Sequence, residues 1–475
     1  MRRLIYPFFA TCLLTFSMHS AAADKAPAFT RADLDKAAML RKKALEDTTA
    51  YELVKSLTTE VGPRPAGSPG DKAAVDWGVR EMQRLGFSNV HTVEATVPHW
   101  VRGEAEFAVV SPWPQAMPTI ALGGSVGTTT EGIEADAIMV KDLEALAALQ
   151  PGAVKDRIVF FHNRMDRTRD GSGYGRAVRV RAGGASAAAK LGAIGVVIRS
   201  ISTSDDRFPH TGAMRYAADA PRIPALAISN PDADALERQF QSGKPVRLRM
   251  RSSSRDLPSA TSANVIGEIP GTDLANEIVI LGGHLDSWDP GVGALDNASG
   301  VAIIMRVASL IRELDLEPRR TIRVVLFANE EFGTNGSLAY AAAKETEFER
   351  HVLGFEADFG AGPVWRLSSG VNPGQLPAVD AIFKALAPLK LERGKNESRG
   401  GADLRVLSAR GMAIISPDLD GTDYFDVHHN ANDTLARVDP AAIQQSVAAF
   451  AVSAWLGAQY PGTWERVPTP TPPGR

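Results

Sequence analysis

The sequence predicts an α/β protein: a mainly parallel, mixed sheet with helices on both faces, interrupted by a strand-rich inserted domain. Three observations predict it. After Ser259, apolar β-branched runs alternate regularly with segments of helical period, the signature of repeated strand–helix–strand units. Between about Val101 and Asp256 that regularity gives way to short strands punctuated by glycine and proline, the texture of a separate unit. At 475 residues the chain also exceeds what one core ordinarily holds, so two domains are expected.

Taken in order, residues 1–23 read as a secretory signal peptide. Arg2 and Arg3 precede an apolar run from Leu4 to Phe16, and Ala21, Ala22 and Ala23 supply the small residues of a cleavage site. The run is too short for a permanent membrane anchor. Cys12, the single cysteine, lies inside it; a lipidated Cys12 is the alternative, in the poor context Phe9-Ala10-Thr11. The mature chain then has no thiol, so any metal must be held by His, Asp and Glu. Helical spacing marks 51–57 and 73–85, joined by the loop V-G-P-R-P-A-G-S-P-G, and short strands follow around 90–97.

Within the insert, strands are predicted over 137–140, 157–161, 195–198 and 221–228, with a small-residue helix over 182–191. The charge clusters at 164–170 and 205–207 read as solvated loops. Beyond it, strands over 278–281, 321–327, 352–356 and 412–416 alternate with helices over 301–314, 338–344 and 376–386. An amphipathic helix over 440–456 closes the fold. The expected organisation is residues 24–100 with 257–460 as the motif-bearing domain, 101–256 as the insert, and 461–475 as an extended proline-rich tail.

Composition narrows the function classes. With 44% hydrophobic and 23% charged residues the chain is that of a soluble globular protein. Its 52 basic and 55 acidic side chains leave a net charge of −3, and loss of the signal removes two further arginines. Neither a nucleic-acid footprint nor a polybasic membrane patch is implied.

The chemistry lies at the strand ends. The stretch I-V-I-L-G-G-H-L-D-S-W-D-P-G-V-G-A-L-D-N-A-S-G reads as a buried strand delivering His284 and Asp286, a glycine-rich turn, Asp296, and a helix start. Ligands in open α/β sheets bind beyond the carboxyl ends of strands. One histidine there is ordinarily just hydrogen-bonded, and aspartate is common in turns. The later strands repeat the pattern, however. A-N-E-E-F-G presents Glu330 and Glu331, A-D-F-G presents Asp358, and F-D-V-H-H-N-A-N-D-T presents His428, His429 and Asp433. Zinc accepts neutral imidazole and carboxylate oxygen, and two close ions need a shared carboxylate between them.

These motifs together resemble the co-catalytic di-zinc exopeptidases that include bacterial aminopeptidases and glutamate carboxypeptidases, and within them the carboxypeptidase Q branch. The resemblance covers about residues 51–459. It implies the zinc-exopeptidase fold, and it implies that the insert is a protease-associated-like domain covering the site. It implies two zinc ions bridged by Asp296, one completed by His284 and Asp358, the other by Glu331 and His429. Glu330 would be the general base, and Asp286 would orient His284 through its other ring nitrogen. The bond Asp296–Asn297 would be cis. His429 is favoured over His428 because it stands four residues before Asp433, matching an H-x-x-x-D-T ending; Asp433 would then support His429.

The signal peptide supports export, periplasmic or extracellular; the resemblance further implies an enzyme that releases an N-terminal residue from dipeptides or short peptides. Tyr424 is a candidate partner for a developing oxyanion, against its ordinary reading as a core or rim tyrosine. A true carboxypeptidase or glutamate carboxypeptidase is the second reading; it calls for a cation facing the substrate carboxylate, with Arg399 and Arg405 as candidates. A non-catalytic receptor and a single-zinc aminoacyl cyclase are the remaining alternatives. The partner expected is a small peptide, with no nucleic acid and no membrane after signal cleavage; a homodimer is left open.

Overall fold

Strand Leu274–His284 stands at the centre of the first sheet because it is apolar on both sides. Ile278 and Ile280 face one way, into a core shared with Val325, Phe327, Tyr340 and Ile414. Val279 and Leu281 face the other way, into the larger core built with helices Ser299–Glu313 and Pro440–Gln459. A strand covered on both faces needs an unbroken apolar run rather than alternation, which is what I-V-I-L supplies. Two helical stretches, Ala294–Glu313 and Pro440–Gln459, are long and apolar enough to cross a membrane, but here they are buried in the fold.

The computed structural model describes residues 28–468; the signal-peptide reading of 1–23 and the tail beyond Pro468 lie outside them. The first sheet has eight strands in the order Ser88–Val101, Arg255–Ile269, Arg320–Phe327, Leu274–His284, His351–Glu356, Ala413–Leu419, Val364–Gly370, Glu392–Arg393. The middle four run parallel, and antiparallel pairs flank them on either side. The sheet is therefore mixed with a parallel heart, and helices cover both faces.

The largest departure from the sequence reading is the hairpin of Ser88–Val101 with Arg255–Ile269. Strand Arg255–Ile269 opens R-D-L-P-S-A-T-S, which has no apolar alternation and reads as loop. Its second half is made a strand by pairing with Arg320–Phe327, a case of tertiary context overriding propensity. The hairpin also explains how the insert is carried. Val101 pairs with Arg255, so the chain leaves and re-enters the first sheet at neighbouring points.

Residues 105–252 build a second eight-stranded sheet of their own, including Ile133–Val140, Ile158–Phe161, Gly195–Arg199 and Ala225–Ile228. Helix Ser172–Lys190 begins ten residues before the predicted start. Its first turns, S-G-Y-G-R, carry two glycines and follow a left-handed Gly171 with no side-chain cap, so no local start signal is present. Helix Asn230–Gln241, capped by Ser229, is a further element that the sequence reading does not mark.

The charge clusters lie in loops as expected, but they are not simply solvated. Arg167 reaches Asp423 and Asp426, Arg169 reaches Asp420, and Asp206 accepts from Asn432. They fasten the insert to the segment that carries His428 and His429.

Candidate metal centre

The parallel register brings the strand ends to one edge. His284 lies opposite Phe327, and Gly282 lies opposite Glu356. Asp286, Glu330, Glu331 and Asp358 therefore all emerge just past the same rim. Asn329, left-handed at φ 57°, turns the chain so that the glutamates leave the strand direction. Asp296 comes from the turn that enters helix Ser299–Glu313, and the Asp296–Asn297 bond is cis. There Asn297 donates to the Ala357 carbonyl and accepts from the Gly300 amide; a Cβ at Gly300 would run into both groups, which accounts for the glycine. His429 is held left-handed at φ 64°, an uncommon state for a bulky residue and one that recurs at functional sites.

Asp296 is the hub. Its Oδ1 lies 3.2 Å from His284 Nε2, which also stands 3.3 Å from Asp358 Oδ1. Its Oδ2 lies 3.1 Å from His429 Nε2, which is also 3.1 Å from Glu331 Oε2. His428 Nε2 stands further off, 3.5 Å from the same Oδ2, with its ring stacked on that of His429. Ligand atoms held 2.0–2.1 Å from a tetrahedral zinc stand about 3.3–3.4 Å apart, so the spacing fits that ion. The donor set fits as well. Asp296 Oδ2 and Glu331 Oε1 are buried without a hydrogen-bond partner, a state that a cation relieves. Two overlapping groups could hold a metal: Asp296 with His428 and His429, and His284 with Asp296 and Glu331.

The electrostatics express the same crowding. Burial pushes the Glu331 carboxyl up to about 7, with the neighbouring Asp296 adding to it and His429 opposing. Burial also drives Glu330 well above the usual carboxylate range; His284 opposes, while Asp358 and Glu331 reinforce the shift. His284 is raised despite its burial, because Asp358, Asp286 and Asp296 surround it. His428 is depressed, by burial and then by His429.

The supporting residues add to the sequence reading at Asp286 and differ from it at two further points. Asp286 faces His284 Nδ1 mainly through its backbone carbonyl, at 3.1 Å; its carboxylate is 3.5 Å away. That carboxylate also accepts the amides of Glu330 and Glu331, at 3.0 and 3.3 Å. Asp433 does not hold His429: its carboxylate accepts the amides of Leu295 and Asp296. Arg399 and Arg405 are exposed and line no part of the pocket, whose arginines are Arg181 and Arg215. Tyr424 does line the pocket, packed against Phe359 and His428, and burial drives its hydroxyl well above the usual tyrosine range.

Two residues at the centre escape a sequence reading. Arg64, fully buried, donates to the carbonyls of Leu285, Val292 and Gly293 and so fixes the turn between His284 and Asp296. Trp288 donates to Glu331 Oε2 at 2.5 Å while its ring lies in the core of the insert. The only signals were an arginine inside the V-G-P-R-P loop and a tryptophan between two aspartates.

A zinc-dependent exopeptidase is the class that this fold and site define. The model of Peptidase family M28 matches residues 264–454. Carboxypeptidase Q of Bos taurus is 31% identical over 408 residues, covering 86% of this chain and 84% of that protein. The crystal structure of a peptidase M28 precursor from Shewanella amazonensis SB2B superimposes with a TM-score of 0.90 at 43% identity, over 92% of this chain and 99% of that one. BSAP, a zinc aminopeptidase from Bacillus subtilis, shares the fold at a TM-score of 0.61 and 20% identity, over 88% of this chain and 97% of that one. The chain belongs to Peptidase family M28.

Proposed function

We propose that this protein is an exported di-zinc exopeptidase that releases the N-terminal residue of dipeptides and short peptides. The observation that carries the reading is a cavity of about 310 Å³ holding Asp296, Glu330, Glu331 and Asp358 and walled by Tyr174, Arg181 and Arg215 of the insert. A space of that size, closed partly by a second domain, suits a small ligand rather than a folded protein chain.

His284, Asp358, Glu331 and His429 would hold the two ions, with Asp296 shared between them. The split of its oxygens supports this, since Oδ1 faces His284 and Oδ2 faces His429. His428, further from Asp296 and with Nδ1 unpartnered, would pack and contact substrate. When bound, zinc supplies positive charge that acidifies water and polarises a carbonyl. Glu330, inside the cavity and held by the Asp286 carboxylate through its amide, accepts the proton of the attacking water and returns it to the leaving amine. Tyr424 presents its hydroxyl to the oxyanion that develops on the scissile carbonyl. Export rests on the pattern of residues 1–23 and on the name "precursor" borne by the Shewanella amazonensis relative.

Hydrolysis of a dipeptide panel, with zinc and after chelation, tests the reading. The expected outcome is zinc-dependent release of free amino acids that falls at least about 100-fold in Glu330→Gln while zinc still binds. Removal of a C-terminal residue is the second reading, favoured by the arginines of the cavity wall and by the name of the relative carboxypeptidase Q. Cleavage of N-acetylated dipeptides in preference to free ones would establish it. Zinc binding with no cleavage of any peptide would remove both.

A further inference from the structure

We propose that the insert builds one half of the metal centre: through His210, Thr211 and Trp288 it positions His429 and Glu331, so that the ion of this pair depends on the docked insert while the ion of His284 and Asp358 does not. This division presupposes the two-ion reading of the site and adds which part of the chain governs each ion.

The run P-H-T-G at 209–212 meets the segment from His428 to Asn430. His210 is 2% exposed and uses both ring nitrogens there. Its Nδ1–H donates to the His428 carbonyl at 2.5 Å, and its Nε2 accepts from the Asn430 side-chain amide at 2.9 Å. Thr211 takes the residue between them. Its amide donates to the His429 carbonyl at 3.0 Å, and its carbonyl accepts from His429 Nδ1, 3.4 Å away. The last bond orients the ring so that Nε2 turns to Asp296 and Glu331. Gly212 permits the approach, since a Cβ there would stand 2.7 Å from His429 Nδ1. Two consecutive residues of the insert thus bind three consecutive residues around a left-handed histidine. Such a backbone persists where the surrounding structure over-determines it.

This clamp is anchored in the insert's own sheet. The His210 amide donates to Ser200 Oγ, Thr211 Oγ1 donates to the Ala121 carbonyl, and the Gly123 amide donates to the Gly212 carbonyl. A Cβ at Gly123 would run into the ring of Trp288, which sits in the apolar core of the insert with Phe107 and Leu248. The indole N–H of that ring donates to Glu331 Oε2, the oxygen 3.1 Å from His429 Nε2. One patch of the insert, residues 121–123 and 210–212, therefore governs both side chains.

The other pair is held differently. His284 Nδ1 meets the Asp286 carbonyl, and its Nε2 meets Asp296 and Asp358. Ala357, beside Asp358, is bonded through its amide to Gly282 and through its carbonyl to Asn297. Among the described residues, no hydrogen bond of His284 or Asp358 reaches residues 105–252. Partners that orient a ligand from behind are worth about 10- to 100-fold in metal affinity, so loss of the insert's contacts falls on one ion.

Zinc titration of the metal-free protein in competition with a chromophoric chelator tests this. His429→Ala should leave the ion of His284 and Asp358, whose affinity is the reference. His210→Ala should keep one ion within about threefold of that reference and bind the other about 10- to 100-fold more weakly than the unmodified protein does. His210→Asn, whose amide can still donate to the His428 carbonyl, should recover part of the loss. Adding His210→Ala to His429→Ala should shift the remaining ion by less than about threefold. Equal loosening of both ions in His210→Ala, or of neither, would overturn the proposal, as would a larger shift in the double variant. Where His210→Ala does not fold, judged by far-ultraviolet circular dichroism, Trp288→Phe decides by the same criterion; it keeps a ring in the insert's core and loses the N–H. Fewer than two ions on the unmodified protein would remove the two-ion reading and this division with it. Two ions that respond alike in the variants would remove the division alone.

Discussion

At the scale of single residues, Asp286 shows how little a motif says about the job its side chain performs. H-x-D suggests a carboxylate behind a histidine, and here that carboxylate, 3.5 Å from His284 Nδ1, also caps the amides of Glu330 and Glu331 while the backbone carbonyl meets the same nitrogen. One residue therefore places a donor of each half of the cluster. Asp286→Asn keeps the size but removes the charge and puts an NH2 group where two amides need an acceptor. Zinc affinity is expected to fall about 10- to 100-fold, with a comparable loss of kcat. Competition against a chelator of known affinity measures the first, and dipeptide turnover the second. Values within threefold of the unmodified protein would mean that the turn holds Glu330 and Glu331 without it. The types of the candidate ligands were legible from the sequence, since His284, Glu331 and Asp358 stand at or just past the ends of recognisable apolar strands. The direction of each hydrogen bond was not, because it depends on a loop 44 or 45 residues away.

At the scale of elements, His351 joins strand His351–Glu356 to its neighbours. Its Nε2 accepts from the Tyr340 hydroxyl, which itself accepts from Arg323, and its Nδ1–H donates to the Glu347 carbonyl. Only the neutral ring makes both bonds. Burial first, and then the Arg323 guanidinium, lowers its pKa to about 4, against 6.5 for the ordinary group. The unfolded chain thus takes up this proton first as the pH falls. Its contribution is complete above pH 6.5 and is lost as the pH falls towards 4, by up to about 3 kcal/mol. Urea unfolding at pH 7.5 and 4.5 should show a smaller acid loss in His351→Gln than in the unmodified chain. An equal loss in both would place the acid sensitivity elsewhere. Of these elements the parallel strands and their helices were visible in advance, whereas Arg255–Ile269 was not. The former carry their own hydrophobic period; the latter is a strand only through its partners.

At the scale of the whole molecule, the insert is part of the site and not merely a cover over it. Trp288, one bond from Glu331, packs with Phe107, Leu248 and Phe332 in the insert's core, and a Cβ on Gly123 would run into its ring. His210 of the insert meets the His428 carbonyl, and Thr211 accepts from Arg181 beside His429. Because Val101 pairs with Arg255, residues 103–253 can be replaced by an Asn-Gly turn without parting the first sheet. The shortened chain is expected to keep its far-ultraviolet signature for the first sheet and its helices, while peptide turnover falls at least about 100-fold through loss of the Trp288 packing and the arginine wall. Turnover within tenfold would show that the first domain alone completes the site. The sequence by itself determined the chemistry available: no thiol outside the N-terminal segment, and carboxylates and imidazoles at successive strand ends, because residue type and local period are properties of short segments. Only the tertiary structure decided which oxygen of Asp296 faces which histidine, that Arg64 pins a turn more than 220 residues away, and that Arg181 and Arg215 rather than Arg399 and Arg405 reach the cavity. Those facts arise where distant segments converge, and burial there sets the charge balance that no local pattern records.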